Sequence, residues 1–414
     1  MEGTALERSV AAPSIRAAGC VYSVATSADE PVLRQLLRTN SLGGWIRLAF
    51  QREPDAFAGT FGLAHSHDFI VAYEEKSGRA VGLCERFVRD AYVNGEVVRL
   101  PYLGSLRVDG DFRNRIRILR NGFVAVRDLL EDRRDAPYSL TAITADNDVA
   151  RRVLCAGVSG FPQYVPVGEM LTFAIRTRRS RVDASVSVAG RAELPAIAQL
   201  LQRTYRAYQF APVWRADELE RLDATWLVVR SGGQLVACMA LWDQSAVKQT
   251  IVTGYSRGVA LTRPLFNAVA PLVRAPRLPA VGAPLKQVYL SHLAVDAPSR
   301  SPITVEAPSR LSPITVDAPS RLSPITGDAL SRPAIEGFFI FKALMHTALS
   351  LAHNRRFDIA VIGLAAKNPL SHVVRQHWKT HEYRSLLHLV QWPARGELVT
   401  PEADRIAHPE IALM

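Results

Sequence analysis

Apolar residues follow helical and strand periods in turn along the chain, and the changes of period outline its elements. The first group has helical spacing and predicts a helix: Val32, Leu33, Leu36 and Leu37. The segment Thr39 to Ser66 predicts a second helix and a loop. Three apolar runs then predict a β-meander, and Asn94-Gly95 between the last two is a hairpin signal. The third strand of the meander is predicted over Val97 to Val108.

The end of that third strand has a counterpart near the other end of the chain. Residues Tyr102 to Asp109 and Tyr289 to Asp296 agree at five of eight positions, and we call them the first and second repeated strands. Repetition of a strand-to-helix unit indicates two domains of one type. We predict an α/β (α+β) chain in which each half is a mixed, mostly antiparallel sheet flanked by helices. The strand order should be broken at the strands of Leu106 and Leu293.

Patterning and composition together divide the chain into five parts. The boundaries are predicted as a disordered tail over 1–20, a first domain over 21–178, a linker over 179–184, a second domain over 185–395 and a tail over 396–414. The linker is short, basic and polar, which predicts a solvated hinge.

The second domain contains a proline-rich insertion, predicted over 297–336. Three near-identical units begin at Ala297, Ala307 and Ala318, and the second and third are 11 residues long. The prolines in every unit exclude the coiled coil that such a period would otherwise indicate. An extended, mostly disordered loop with polyproline II character is predicted instead. The loop separates the second repeated strand from the helix that should follow it.

The composition is typical of a globular chain, with 48% hydrophobic and 21% charged residues. The net charge is 50 − 39 = +11, but the arginines are dispersed and do not interleave with aromatic residues, so a solvated surface is favoured over nucleic-acid binding. The four cysteines lie far apart without a CxxC pair, which argues against a metal site and against disulfides, and predicts a cytoplasmic location. No apolar run reaches membrane-spanning length, and no membrane partner is predicted.

The junction after the first repeated strand carries the most informative chemistry. A strand that leads directly into a helix presents free backbone N–H groups and the positive end of the helix dipole at one place, which favours anions. Three arginines lie on one face of the predicted helix: Arg113, Arg117 and Arg120. This arrangement predicts a phosphate site.

The order helix, meander, helix, strand, helix, strand resembles the GNAT superfamily of N-acetyltransferases, including bacterial proteins with two such domains in tandem. In that family the strand-to-helix junction carries Gln/Arg-x-x-Gly-x-Gly/Ala. Here Arg113 stands at the first position, whereas Ile116 and Ile118 stand at the two glycine positions. Glycine lets a pyrophosphate approach the backbone closely, so the isoleucines change the access to this junction.

A second family motif, Asn-x-x-Ala at a helix start, is matched by Asn147 and Ala150. The tyrosine that often follows this Asn by seven residues, as a general acid, is replaced by Leu154. The resemblance implies an acyltransferase, in particular an N-acetyltransferase, with acetyl-coenzyme A or another acyl-coenzyme A as donor. The acceptor, an amine or another small molecule, is left open. A non-catalytic descendant that kept the fold as a binding or scaffold protein is the alternative.

The resemblance also implies which residues would hold the donor, with its pantetheine arm along the first repeated strand and its pyrophosphate at the helix start. These positions are Leu106, Val108, Arg113, Asn114, Arg115, Ile116, Arg117, Ile118 and Asn147. Candidates for proton transfer are Glu85, Tyr102, Tyr164, His292 and Tyr383. Such buried groups are more often structural than catalytic. The donor is assigned to the first domain because the proline-rich insertion interrupts the corresponding junction of the second.

Overall fold

The computed structural model describes residues 13–38, 46–112, 116–130, 132–180, 182–270, 272, 277–296, 332–392 and 400–414. Within these residues the strands are β1 Ser14–Ala17, β2 Cys20–Val24, β3 Ile46–Gln51, β4 Ser66–Glu74, β5 Ala80–Val93, β6 Glu96–Val108, β7 Tyr138–Thr144, β8 Gln163–Arg176, β9 Val186–Val188, β10 Ala224–Ser231, β11 Gln234–Trp242, β12 Gln249–Tyr255, β13 Gln287–Val295, β14 Ile359–Ala365 and β15 Thr380–Gln391. The helices are α1 Glu30–Arg38, α2 Ile116–Leu130, α3 Asp148–Leu154, α4 Leu194–Tyr205, α5 Ala216–Glu220, α6 Arg257–Val269, α7 Arg332–Asn354 and α8 Pro369–His377.

A 13-stranded sheet runs through both halves of the protein in the order β1-β2-β4-β5-β6-β7-β15-β8-β14-β13-β11-β10-β9. Its neighbours are antiparallel except at β6–β7 and β13–β14, which are parallel. The two parallel pairings lie at the starts of the first and second repeated strands, at Tyr102 and at Tyr289. The predicted fold class, a mostly antiparallel sheet flanked by helices and broken at these two strands, is therefore confirmed.

The last strand of each half completes the sheet of the other half. Strand β15, from the end of the chain, pairs with β7 of the first half. Strand β8, from the end of the first half, pairs with β14 of the second. The two exchanged strands also pair with each other, over Thr380–Gln391 of β15. Neither half of the sequence therefore holds all the strands of its own part of the sheet.

The helices cover both faces of this sheet. In the second half α7 packs on one face and α4 on the other, each in its own buried cluster. The α7 cluster includes Leu171, Phe173 and Ile175 of β8, which are at most 1% exposed. In the first half α2 covers β4 and β5 from one face, and α1 packs on the other. In the described part of the chain, no helix combines the length and apolarity needed to cross a membrane.

Local chemistry explains the elements that the sequence predicts well. At the β5–β6 turn, Asn94 and Gly95 have φ values of 53° and 84°, which is the geometry that these two residue types tolerate. The prediction of a second helix after Thr39 is wrong for the part of that segment that the structure describes. Strand β3 forms there instead and pairs with β12 of the second half as a separate two-stranded ribbon.

The predicted N-terminal tail is wrong for residues 14–20. Strand β1 pairs there with β2, because Ile15 and Ala17 alternate with polar residues and pack against the first-half core. Residues 1–12 lie outside the described part of the chain.

The predicted linker is not a solvated hinge. Ser180 hydrogen-bonds with its backbone to Ser350 and with its hydroxyl to His346, and the Asp183 amide donates to Thr347. All three partners lie on α7, so the connection is fixed to the second half by polar side chains of a helix whose other face is apolar.

The predicted C-terminal tail and the end of the insertion also need correction. Ala407, Ala412 and Leu413 are at most 7% exposed, because the chain between residues 400 and 414 returns to the middle of the molecule. Helix α7 begins at Arg332, within the insertion predicted over 297–336. Residues 297–331, with the repeats, lie outside the described residues.

Candidate functional site

The first repeated strand contains a β-bulge. Between the paired residues Leu83–Arg107 and Glu85–Gly104, β6 has one more residue than β5. Ser105 absorbs the difference with a φ of 51°, in the left-handed region that a serine rarely adopts. Strain of this kind persists only where neighbouring contacts impose it, and it is common at functional sites.

The second repeated strand carries the same bulge at the same position of the motif. Strand β13 gains a residue between the pairs Cys238–Ala294 and Ala240–Ser291. His292 takes the left-handed conformation with a φ of 53°. The sequence match between the two halves therefore reflects one backbone geometry that is built twice.

Strands β6 and β7 separate just before the first bulge. Their parallel pairing consists of Tyr102 and Leu140, and the Thr141 hydroxyl donates to the Leu103 carbonyl 2.8 Å away. Beyond that point, residues 104–108 of β6 are half-buried. An extended ligand can add to a strand edge of this kind through backbone hydrogen bonds.

Helix α2 begins close to this opening, at Ile116. The first amides of a helix have no partner within it, so Ile116, Arg117 and Ile118 present them at the N-terminus. The Ile116 and Arg117 side chains are exposed. The Ile118 side chain is 5% exposed and packs in the first-half core. Residues 113–115, with the predicted Arg113, Asn114 and Arg115, lie outside the described part.

A small apolar pocket of about 30 Å³ lies between the sheet and α2. Its lining includes Tyr22, Leu106, Val108, Ile118, Phe123 and Val126. Two residues predicted to border the donor, Leu106 and Val108, therefore line this small cavity.

A buried ionic network lies behind the first bulge, centred on Glu85. The Arg52 guanidinium binds the carboxylate with both terminal nitrogens, at 2.5 and 2.6 Å. His67 Nε2 lies 2.8 Å from one oxygen, and the Ser105 hydroxyl donates to the other at 2.7 Å. Burial alone would raise the pKa of Glu85, but the Arg52 charge and the His67 hydrogen bond outweigh it and hold the pKa well below its usual range. An ionised, fully partnered carboxylate is a poor proton acceptor, and Glu85 fixes the bulge through Ser105.

Two further titratable groups face the same region. Burial and the nearby Glu85 raise the pKa of Tyr102 above its usual range. Burial and the Arg52 charge lower the pKa of Lys248 to about 7. The Lys248 amine lies 3.3 Å from the carbonyl oxygen of Ala412 and 3.4 Å from that of Leu413. The C-terminal segment thus reaches the centre of the molecule beside this cluster.

The second bulge is closed. His292 is fully buried and packs against three indole rings, those of Trp214, Trp226 and Trp242. Its amide donates to the Glu410 carboxylate, 3.0 Å away. Burial raises the pKa of Glu410 to about 7 and lowers that of His292 well below its usual range. The C-terminal segment therefore occupies the place where the first half is open, and His292 is a residue of the core.

The remaining predicted residues lie in an apolar cluster, at the surface and at a helix cap. Tyr164 packs in an apolar cluster beside Phe123 and His388, and burial raises its pKa far above its usual range. Tyr383 is 45% exposed on β15. Asn147 caps α3, where its side chain accepts the Ala150 amide at 3.1 Å. The structure therefore brings Glu85 and Tyr102 to the bulge of Leu106, and it packs Tyr164 in one cluster with Leu106 and Phe123. His292 lies in the second-half core, and Tyr383 is exposed.

Sequence reasoning missed four residues of this centre: Arg52, His67, Lys248 and Glu410. Arg52 directly follows β3, in the segment predicted as helix and loop. His67 stands on β4, two positions before the strand that the sequence predicts over Phe69 to Tyr73. Lys248 and Glu410 are far from either motif along the chain, and no local pattern marks them. Their proximity is a product of the tertiary fold alone.

Solved structures with a similar fold exist. An N-myristoyltransferase from Saccharomyces cerevisiae with bound myristoyl-CoA aligns with a TM-score of 0.56 at 10% identity, over 89% of this chain and 82% of that one. A second structure of the yeast enzyme with myristoyl-CoA gives 0.57 at 10% identity, over 92% and 80%. A GCN5-related N-acetyltransferase from Sphaerobacter thermophilus gives 0.47 at 11% identity, over 89% and 95%.

The N-myristoyltransferase similarity covers most of both chains and confirms the fold expected from the GNAT resemblance. At such low identity it shows the fold alone. No protein-family model matches the sequence, and no curated protein matches it either.

Proposed function

We propose that the protein is an acyltransferase that takes an acyl group from an acyl-coenzyme A bound to its first half and transfers it to an amine. The observation that carries the proposal is the opening of the sheet beyond Tyr102 and Leu140, beside a strained bulge, an apolar pocket and a helix N-terminus. In the solved structures of similar fold, N-myristoyltransferase holds myristoyl-CoA.

The difference between the two bulges supports the choice of the first half. Residues 104–108 are half-buried and border the pocket, whereas residues 291–294 of the second strand are buried. Glu410 already accepts the His292 amide there. A pantetheine arm would lie along Leu106 and Val108, with its pyrophosphate at the first amides of α2 and near Arg117.

The reaction itself needs alignment and the removal of one proton. The acceptor nitrogen attacks the thioester carbon, the carbon–sulfur bond breaks, and the coenzyme A thiolate leaves with the bonding electrons. The acceptor nitrogen loses a proton in this step. Lys248 suits the role of proton acceptor because the two N–H groups of its neutral amine can donate to the carbonyl oxygens of Ala412 and Leu413. Its lone pair is then free to accept the proton.

The role of Lys248 predicts a pH dependence. Since the amine accepts a proton only when neutral and its pKa is lowered to about 7, kcat/KM should rise as the pH increases through about 7. Lys248→Met should abolish that rise and lower the rate about 100-fold or more. Lys367→Met, a change of the same kind in the second half, is the control. An unchanged pH profile in Lys248→Met would remove Lys248 from the reaction.

Donor binding is the direct test of the proposal. Calorimetric titration of the whole protein with acetyl-, malonyl- and long-chain acyl-coenzyme A should show binding of at least one of them. Each charge-assisted contact to the pyrophosphate contributes about 1.5 to 3 kcal/mol. Arg113→Ala combined with Arg117→Ala should therefore weaken binding at least tenfold, and more at low than at high salt.

The matched control removes the same charge at a distance. Arg127 on the last turn of α2 and Arg134 beyond it are paired with Asp128 and Asp132, and changing both to Ala should leave donor affinity within about twofold. No heat with any of the three thioesters at millimolar concentration would favour a non-catalytic binding or scaffold protein. Binding that survives the Arg113 and Arg117 changes would move the pyrophosphate away from α2.

A further inference from the structure

Helix α6 is oriented with its apolar side outward. None of its residues is buried, and the residues turned toward the protein are Val259, Arg263 and Asn267, which are half-buried. Leu261 and Leu265, one turn apart on the other side, are 82% and 71% exposed. A helix on a soluble protein normally has the opposite arrangement, so this face calls for an apolar partner.

Polar contacts on the inner side fix this orientation. The Asn267 side chain both donates to and accepts from the backbone of Leu278, at 3.0 and 2.7 Å. The Arg263 guanidinium donates to the same carbonyl at 3.2 Å and lies over the ring of Tyr255. Rotating the leucines inward would break all of these contacts. The exposed leucines are therefore held outward by the fold.

The apolar surface continues beyond the helix. Val269 and Phe266 are 42% and 39% exposed, Leu272 is 84% exposed, and Val281 in the loop that follows is 59% exposed. We call the surface formed by Leu261, Leu265, Val269 and Leu272 the α6 face. With 13 residues, the helix is about 20 Å long, so it offers a convex ridge and no groove.

The charged residues of the segment that contains α6 have a single sign. Between residues 244 and 295 the sequence contains no Asp or Glu and six basic residues: Lys248, Arg257, Arg263, Arg274, Arg277 and Lys286. Arg257, Arg277 and Lys286 are exposed, whereas Lys248 donates to carbonyls of the C-terminal segment and Arg263 lies over the ring of Tyr255. Two copies of the chain that met through this face would bring like charges together. An apolar helix face in a segment whose charged residues are all basic matches an anionic lipid surface, where the leucines enter the acyl boundary and the cations meet the headgroups.

We propose that the α6 face is a docking surface for an anionic lipid bilayer, with α6 lying in the plane of the interface. This proposal does not depend on acyl transfer. It replaces the expectation from the sequence, which predicts no membrane partner because no apolar run reaches spanning length.

Vesicle sedimentation with the full chain tests the proposal. The protein should sediment with phosphatidylcholine vesicles that contain phosphatidylglycerol and remain in solution with phosphatidylcholine alone. Leu261→Ser with Leu265→Ser should weaken binding to the anionic vesicles at least tenfold. Arg257→Glu with Arg277→Glu should weaken it similarly and should remove most of its salt dependence. Val182→Ser with Val188→Ser, at positions 54% and 62% exposed elsewhere, is the matched control and should bind as wild type.

Four outcomes would overturn the proposal. The first is that the protein does not sediment with anionic vesicles, or that the two leucine changes leave its sedimentation unaltered. The second is a concentration-dependent dimer in light scattering that the leucine changes abolish, which would assign the face to a second copy. The third is a marked fall in melting temperature for the leucine variant, which would show that another segment of the chain covers the face. A pull-down of an acidic protein through Leu261 without vesicle binding would likewise replace the lipid by a protein partner.

Discussion

Separated into two polypeptides, residues 1–184 and residues 185–414, the protein should lose its fold, and the mixture should regain it. Strand β8 of the first piece forms part of the second-half core, where Leu171, Phe173 and Ile175 are at most 1% exposed. Each such side chain contributes about 1.5 to 3 kcal/mol when buried. Their combined loss is comparable to the whole stability of a typical domain, about 5 to 15 kcal/mol. The first piece also lacks β15, the partner of both β7 and β8.

Near-ultraviolet circular dichroism and denaturant unfolding would measure this effect. Each piece alone should give no cooperative transition, whereas an equimolar mixture should unfold cooperatively and bind whatever donor the intact chain binds. The full chain cleaved once within residues 179–184 after folding is the control, and it should remain folded. Cooperative unfolding of residues 1–184 alone would show that the exchanged strands are dispensable and that the first half is an independent domain.

Replacing Glu85 by Ala should destabilise the protein by about 3 to 5 kcal/mol. The change leaves the Arg52 guanidinium buried without its carboxylate and removes the acceptor of the Ser105 hydroxyl. An unpaired buried guanidinium costs more stability than the ion pair itself provides, because nothing then offsets the desolvation of its charge. The bulge should also lose its fixed geometry, so donor affinity should fall in the same variant.

Two variants separate the charge effect from a general loss of packing. Glu75→Ala removes a carboxylate from the exposed pair with Arg16 and should cost at most about 1 kcal/mol. Glu85→Leu together with Arg52→Met removes both charges and should recover much of the stability lost in Glu85→Ala. Urea unfolding at neutral pH gives all three values. A Glu85→Ala variant as stable as Glu75→Ala would mean that Arg52 finds another partner or water, and the network would not fix the bulge.

The sequence predicts best those features that one short segment determines. Asn94-Gly95 specifies its turn because both residues tolerate positive φ, and the matched motifs of β6 and β13 locate the two breaks in the sheet. The sequence does not predict the position of the bulge within the motif, because Ser105 is not a residue that favours a left-handed backbone. A geometry imposed by the neighbouring strands leaves little trace in the residue that adopts it.

Pairing between distant segments could not be predicted at all. The alternation of apolar and polar residues identifies β8 and β15 as strands and indicates which face of each is buried. It does not indicate which strand lies beside them, so the exchange of strands between the halves cannot be predicted from the sequence. The same holds for the residues of the candidate site. Glu85 and Tyr102 were found because they stand on or beside the repeated strand. Arg52, Lys248 and Glu410 come from segments that only the complete sheet brings together.

The strand exchange also has a consequence for the protein during its synthesis. Strand β7 leaves the ribosome about 250 residues before its partner β15, a delay of roughly 12 to 50 s at ordinary elongation rates. Throughout that time the first half has an unpaired strand edge between β7 and β8, with apolar residues such as Leu140 and Phe173 uncovered. Such an edge is a template for pairing with other chains. The nascent chain should therefore depend on chaperones that bind extended apolar segments, and its first half should complete its fold only near or after release.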